Sequence, residues 1–368
     1  MPLFQKQENR IIGVDIGTSS IKLIELQKNT EGTFSLITYG MVERFNHDVK
    51  LGEKEDPMLI ARTIKLITEK GGFTVKQATA ALPTFLVFTS LISLPQMSKD
   101  ELDSAIRWEA KKIIPLPLED IVLDYKMVNQ IAEKGGLSFG KKKPEHDKED
   151  LKILLTGAGK ETVQKYSDIF LHSGLTLTSL ETEMFALSRA LVGNDPGEIM
   201  IVEIGASITD IIVVESGVPF LGRSIETGGH ALTRAIMSSL NINEKRAEQL
   251  KRDVGITTGE NSGAGEVPNL LKETVEPIVH EIRYTIDLYK SHSVTPSPKA
   301  TGNIEKIILT GGTALMPGLR EHIATALDMR VILGDPWVHV KYQDDLKTIL
   351  AQIGPKFSVV IGLAMRET

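Results

Sequence analysis

One short pattern occurs twice, and this repeat restricts the fold more than any other feature of the chain. Val14-Asp15-Ile16-Gly17 leads to Ser19 and then to the apolar run Ile21–Leu26. Val202-Glu203-Ile204-Gly205 leads to Ser207 and then to Thr209–Val214. The copies lie 188 residues apart, about half of the 368-residue chain. Each reads as an apolar strand, a small-residue loop carrying one carboxylate, and a second strand. A dinucleotide fingerprint needs its glycine loop to open a helix, so that reading is disfavoured. A repeat of this length points to two related lobes.

The segments between the copies read as alternating helices and strands. Residues 56–69 have apolar residues at helical spacing, Pro57 in the first turn and Gly71–Gly72 at the end. "ATAALPTFLVFTSLISL" and "VLDYKMV" suit strands. Between them, Ser98 and Glu101 form a capping box for a helix that Pro115 and Pro117 stop. Residues 133–150 are charged and glycine-bearing and read as an exposed loop; "HSVTPSPKATGN" (292–303) reads as another. "KILLTGAG" is a buried strand, and Gly174 closes the helix after it. Late in the chain, "IEKIILTGGTALMPG" runs a strand into Gly311 and Gly312.

Two such hairpins facing each other can grip a polyphosphate. Gly17 and Gly205 let the backbone approach closely. The amides of Thr18–Ser20 and Ala206–Ile208 can point at anionic oxygens, and Ser19, Ser20, Ser207 and Thr209 add hydroxyls. Lys22 can reach a phosphate, and Asp15 and Glu203 are placed to hold Mg2+, through water. One copy alone is usually only a hairpin; two copies with a strand–Gly–Gly element favour phosphate binding.

Composition excludes other classes. A net charge of -6 leaves no general nucleic-acid footprint. The absence of cysteine removes thiolate metal sites, and no HExxH spacing occurs. "MPLFQKQENR" is too polar for a signal peptide, and no run of 18 apolar residues is found, so the expectation is no membrane helix. No basic amphipathic tail follows "SVVIGLAMRET", so no direct membrane insertion is expected.

These motifs resemble the actin-like ATPase superfamily. Its phosphate loops look like Gly13–Lys22 and Val202–Asp210, and its adenosine motif looks like 307–316, with Gly311, Gly312, Thr313 and Ala314. Gly228 and Gly229 resemble the turn closing the nucleotide cleft, and Glu248 and Lys251, on a helix over 244–253, match the pair near the ribose and adenine. Within the superfamily, residues 81–125, "LTLTSLETEMFALSRAL", "AEQLK" and "VIGLAMR" resemble the PilM family of type IV pilus assembly proteins. The resemblance implies an α/β, duplicated ribonuclease H-like fold of two lobes with a small inserted subdomain. The first lobe would hold 1–45 and 151–195, with 355–368 packing back on it; 46–150 would be the insert and 196–354 the second lobe.

It also implies ATP and Mg2+ as ligands and an adaptor role in the cytoplasm. The expected partner is the N-terminal cytoplasmic peptide of a PilN-like inner-membrane protein, with pilus motor ATPases as further contacts and no nucleic acid. Trp108 and Ile114 are candidate walls of the peptide groove, Trp108 being equally readable as core. Hydrolysis is expected to be slow: Arg189 falls where a water-orienting group is expected but cannot act as a base, and Glu181, Glu183 and Glu203 are weak catalytic candidates. The alternatives are an FtsA-like filament-forming division protein and a small-molecule kinase.

Overall fold

The computed structural model describes residues 10–43, 56–128, 150–257, 265–291 and 301–366. Strands β1 (Arg10–Ile16) and β2 (Ser20–Lys28) form an antiparallel hairpin. Ile12, Val14, Ile21 and Leu23 enter one core, Ile24 and Leu26 another. Burial on both faces explains their nearly unbroken apolar sequence. β3 (Phe34–Glu43) continues the antiparallel run. Helix α1 (Pro57–Gly71) then crosses over to β4 (Gln77–Leu82), parallel to β1. It is capped by the Asp56 carboxylate and closed by left-handed Gly72.

With β8 (Thr176–Thr182) and β14 (Val340–Lys341), the first sheet has the order β14-β3-β2-β1-β4-β8. The second sheet comprises β9 (Glu198–Ile204), β10 (Thr209–Glu215), β11 (Val218–Ile225), β12 (Lys306–Thr310) and β13 (Val331–Leu333). Its order is β11-β10-β9-β12-β13. Leaving aside β14, the two sheets share one topology, so the repeated hairpin marks a repeated lobe.

A small sheet, β5-β7-β6, stands apart. It is made by β5 (Val87–Leu94), β6 (Ile121–Met127) and β7 (Leu151–Gly159). Helix α2 (Lys99–Ile113) covers it and starts with the Ser98–Glu101 capping box. The expected insert of 46–150 is therefore displaced. α1 packs on β2 and β3, and β4 belongs to the first sheet, while β7 is the centre of the small one. The run across β4 and β5 suits strands throughout, and only Pro83 marks where the chain changes sheets. Most of the expected 133–150 loop, and residues 292–300 of the other, lie outside the described residues.

Further helices are α3 (Lys160–Ser173), α4 (Glu183–Leu191), α5 (Gly229–Leu240), α6 (Glu244–Asp253) and α7 (Val267–Ser291). α8 (Leu319–Leu327), α9 (Lys347–Ile353) and α10 (Ser358–Ala364) follow in the C-terminal part of the described residues. Against the sequence expectation, one helical stretch, Asp344–Ala364, is long and apolar enough to cross a membrane. Its apolar character has a core explanation. Every residue of α10 is buried, and the helix packs on α4 and β1.

Candidate functional site

The two hairpin loops have the same backbone turn. Gly17 N–H donates to Ser20 O at 3.0 Å, and Gly205 N–H donates to Ile208 O at 2.9 Å. They face a cleft of about 1560 Å³. Asp15, Gly17, Thr18, Ser19, Ser20 and Lys22 line it from the first hairpin, and Glu203, Gly205, Ala206 and Asp210 from the second. Gly229, Glu248, Lys251, Gly312 and Thr313 close the second-lobe wall.

Five expected contacts lie behind this wall. Thr209 is fully buried and donates to Thr227 O at 2.7 Å. Ser207 Oγ lies 3.2 Å from His230 Nδ1. Gly228 backs the second loop, where Gly229 N–H donates to Gly205 O and a Cβ on Gly228 would come 2.8 Å from Ala206 O. Gly311 has φ +89° and passes so close to Ile204 O that a Cβ would sit at 2.5 Å; only glycine fits there. Ala314 is in the second-lobe core. These residues shape the loops and do not line the cavity.

Sheet register sets the charges. Asp15 and Lys22 are directly paired across the first hairpin, and Lys22 Nζ lies 2.7 Å from Asp15 Oδ2. Burial disfavours the ammonium, but the Asp15 carboxylate outweighs it and Lys22 ends above its usual range. The Asp15 carboxylate engages Lys22 through Oδ2, and a place for Asp15 at a metal through water is compatible with this pairing. In the second hairpin the matching pair is Glu203 and Asp210, two carboxylates. Glu183, at the start of α4, joins them. Ligand oxygens of Glu183, Glu203 and Asp210 lie within 4.8 Å of one another.

Burial, then Asp210 and Asp15, push the Glu203 carboxyl up to about 8. Burial holds Asp210 at about 6, and burial and Asp210 raise Glu183 well above the carboxylate range. Three hard oxygen donors crowded together, with Lys22 the cation that offsets part of their charge, suit Mg2+. Bound there, Mg2+ would neutralise the cluster and screen phosphate charge.

This gives a pH prediction for the metal-free protein. Glu203 holds its proton to higher pH when folded than when unfolded. Its contribution is complete below the unfolded value of 4.5 and is lost as pH rises through about 8. In EDTA, wild type should lose about 2 kcal/mol between pH 5 and 8 from this group, after solvent screening. Glu203→Gln should flatten that part of the profile in thermal melts. An unchanged slope would show that the cluster is not compressed as described.

Glu181 is not in the cleft. It accepts from Arg189 at 2.9 Å and from Arg366 at 3.1 Å, and Arg189 also bonds Gly362 O. Glu181 lies in strand β8 while Glu183 opens α4, so adjacent-looking acids point to different places. This removes Glu181 as a catalytic candidate and Arg189 as a cleft residue.

On α6, Lys251 Nζ reaches Glu248 at 2.6 Å, Thr233 Oγ1 at 2.9 Å and Gly229 O at 3.0 Å. Burial opposes the Glu248 charge, but Lys251 prevails and holds its carboxyl down at about 2. Sequence reasoning missed Phe85, Glu43 and Lys356, which also line the cleft. The Lys356 stem lies against Gly312, and Nζ is 3.9 Å from Glu43. A lone lysine in "GPKF" carries no periodic or motif signal.

Trp108 is 65% exposed, which decides against a core role, with Ile113, Leu116 and Val122 also exposed nearby in sequence or on the small sheet. Ile114 is the reverse: it packs in the subdomain core with Leu102, Ile106 and Ala110. Its expected place in a groove wall is corrected.

The family profile described as type IV pilus assembly protein PilM matches residues 13–368. The chain belongs to the PilM family. Among solved structures, the PilM–PilN type IV pilus biogenesis complex resembles this PilM-family chain with a TM-score of 0.78 at 23% identity, covering 97% of this chain and 98% of that one. MreB 5 of Spiroplasma citri bound to AMPPNP resembles it with a TM-score of 0.54 at 14% identity, over 96% and 94% of the two chains. Cell division protein FtsA of Neisseria meningitidis serogroup B (strain ATCC BAA-335 / MC58) is 24% identical over 289 residues, 73% of this chain and 66% of that protein. The fold is the actin-like one that the repeated hairpin implied.

Proposed function

We propose that this PilM-family chain is an ATP-binding cytoplasmic adaptor of the type IV pilus assembly platform. It docks the N-terminal cytoplasmic peptide of a PilN-like inner-membrane protein and reaches the membrane through it. The observation that carries the nucleotide half is the convergence of both hairpin loops, Lys22, the Gly312–Thr313 turn and the Glu248–Lys251 pair on one cleft. The amides of the two loops and Lys22 would hold the phosphates, and α6 with Gly312 would hold the nucleoside. Glu183, Glu203 and Asp210 would hold Mg2+. The likeness to a PilM chain solved with PilN supports the adaptor half.

Turnover is expected to be slow. Glu183 would be engaged on the cation, which leaves it a poor base toward an attacking water. Glu203 is spent on the cation.

Peptide docking is assigned to the small subdomain. Among the described residues β6 is an edge of its sheet, and an extended peptide can pair with such an edge. A groove lined by Arg107, Lys111, Leu118, Val122 and Lys160 runs beside it, and exposed Trp108 is the candidate anchor. Titration calorimetry with the peptide and Mg·ATP present tests the reading: saturable one-to-one binding is expected. Trp108→Ala should weaken the peptide about tenfold or more and leave Mg·ATP affinity unchanged. Peptide binding unaffected by this change would move the groove elsewhere; loss of both ligands would indicate misfolding.

A further inference from the structure

The inner side of helix α1 follows the usual rule: Ile60, Ala61, Ile64 and Ile67 are buried in the first-lobe core. The outer side does not. Met58, Arg62, Leu66 and Lys70 recur at every fourth position and share one face, with Leu59 and Lys65 beside them, and all six are exposed. Met58, Leu59 and Leu66 are 40%, 54% and 43% exposed, and on α3, which packs against α1, Leu171 is 74% exposed. Scattered exposed leucines are normal, but a solvent-facing helix surface is ordinarily polar throughout, and several large apolar side chains on one such face call for a partner. The charges are uneven as well. Arg62, Lys65 and Lys70 stand on this helix against Glu69 alone, in a chain whose net charge is -6. Lys65 Nζ reaches Glu69 only at 4.0 Å, in solvent, and Asp56 at the helix start is engaged in capping Met58 N–H.

We propose that this outer face of α1 docks on an anionic lipid surface. The three cations gain from the negative potential of phosphate headgroups, and the apolar side chains between them enter the boundary of the acyl region. A second copy of this chain fits less well, because a two-fold contact would set the same cations against one another. A peptide also fits less well. These residues line neither the nucleotide cleft nor the groove beside β6, and a helix exterior offers no groove or sheet edge. The contact lies on the membrane and inserts no segment, since the inner side of α1 stays in the core. One shallow helix face binds weakly by itself; beside a membrane-tethered partner it works at high effective concentration. This docking is separate from the adaptor reading: it neither needs the peptide nor replaces it.

The test is flotation of the full chain with liposomes of phosphatidylcholine containing phosphatidylglycerol, and with phosphatidylcholine alone. Binding is expected to the anionic liposomes only, and it should fall as salt rises. Arg62→Gln, Lys65→Gln and Lys70→Gln together should weaken it about tenfold or more, through three lost headgroup attractions. Leu59→Ser with Leu66→Ser should also weaken it while every charge stays. All five positions are exposed, so Tm and Mg·ATP affinity should match wild type in both variants; Arg62→Gln and Leu66→Ser alone replace any combination that melts lower. No binding to anionic liposomes at low salt, equal binding to both kinds, or undiminished binding by either variant would overturn the proposal. A wild-type dimer in sedimentation that the leucine variant loses, without liposome binding, would overturn it and give the face to a second copy. The peptide titration reads the adaptor role separately, so either reading can fail while the other stands.

Discussion

Lys22→Ala should weaken Mg·ATP binding by one to two orders of magnitude in a calorimetric titration. Hydrogen bonds to charged groups contribute about 1.5–3 kcal/mol each, and about 1.4 kcal/mol is tenfold in affinity. Lys22 is the buried cation of the first hairpin and lies among Asp15, Glu203 and Glu183. Without it, a triphosphate would meet those carboxylates and Asp210 with only Mg2+ and loop amides in compensation. Asp15 is only 6% exposed, so the variant should also lose some stability, and its melting curve is recorded beside the titration to separate the two effects. An unchanged affinity would mean that the ammonium stays with Asp15 and that the loop amides alone hold the phosphates.

Gly362→Ala should be among the most damaging single-methyl changes at the described glycines for stability. A Cβ there would come 1.9 Å from Ala186 O and 2.5 Å from Ala186 C, both backbone atoms of α4. No side chain can swing away, so α10 must lift off α4. Val360, Ile361 and Leu363 on α10 are fully buried, so the lift opens the core on both sides. We expect a loss of about 3–5 kcal/mol, at the high end for point changes, and a Tm lower by about 5–10 °C. Gly159→Ala is the control: a Cβ there meets only Thr162 Oγ1, at 3.7 Å, and Tm should hardly move. A Gly362→Ala protein melting with wild type would contradict the seam between α4 and α10.

The parts of this protein legible in its sequence are those governed by local rules. A hairpin is a local object, so its two copies announced two lobes, and the loop glycines announced close backbone approach. The Ser98–Glu101 box and left-handed Gly72 and Gly174 were legible for the same reason. The cross-strand pairing was also within reach. Register alone sets Lys22 opposite Asp15 and Asp210 opposite Glu203, so the second hairpin's excess negative charge could have been read from the repeat.

Other features depend on which surfaces meet. Glu181 and Glu183 are two residues apart, yet one serves Arg189 and Arg366 while the other enters the cleft. Trp108 lies on helix α2 and Ile114 caps it, and only packing against the small sheet separates core from surface. The exchange of β4 and β7 between sheets is of the same kind, because strand preference does not name a partner strand. The chain by itself determined the repeated lobe, the turns and the kinds of chemistry available, since these follow from neighbours in sequence. Only the tertiary structure decided which carboxylates gather and which tryptophan meets water. Burial and charge proximity arise between residues that may be a hundred positions apart, and no local pattern encodes them.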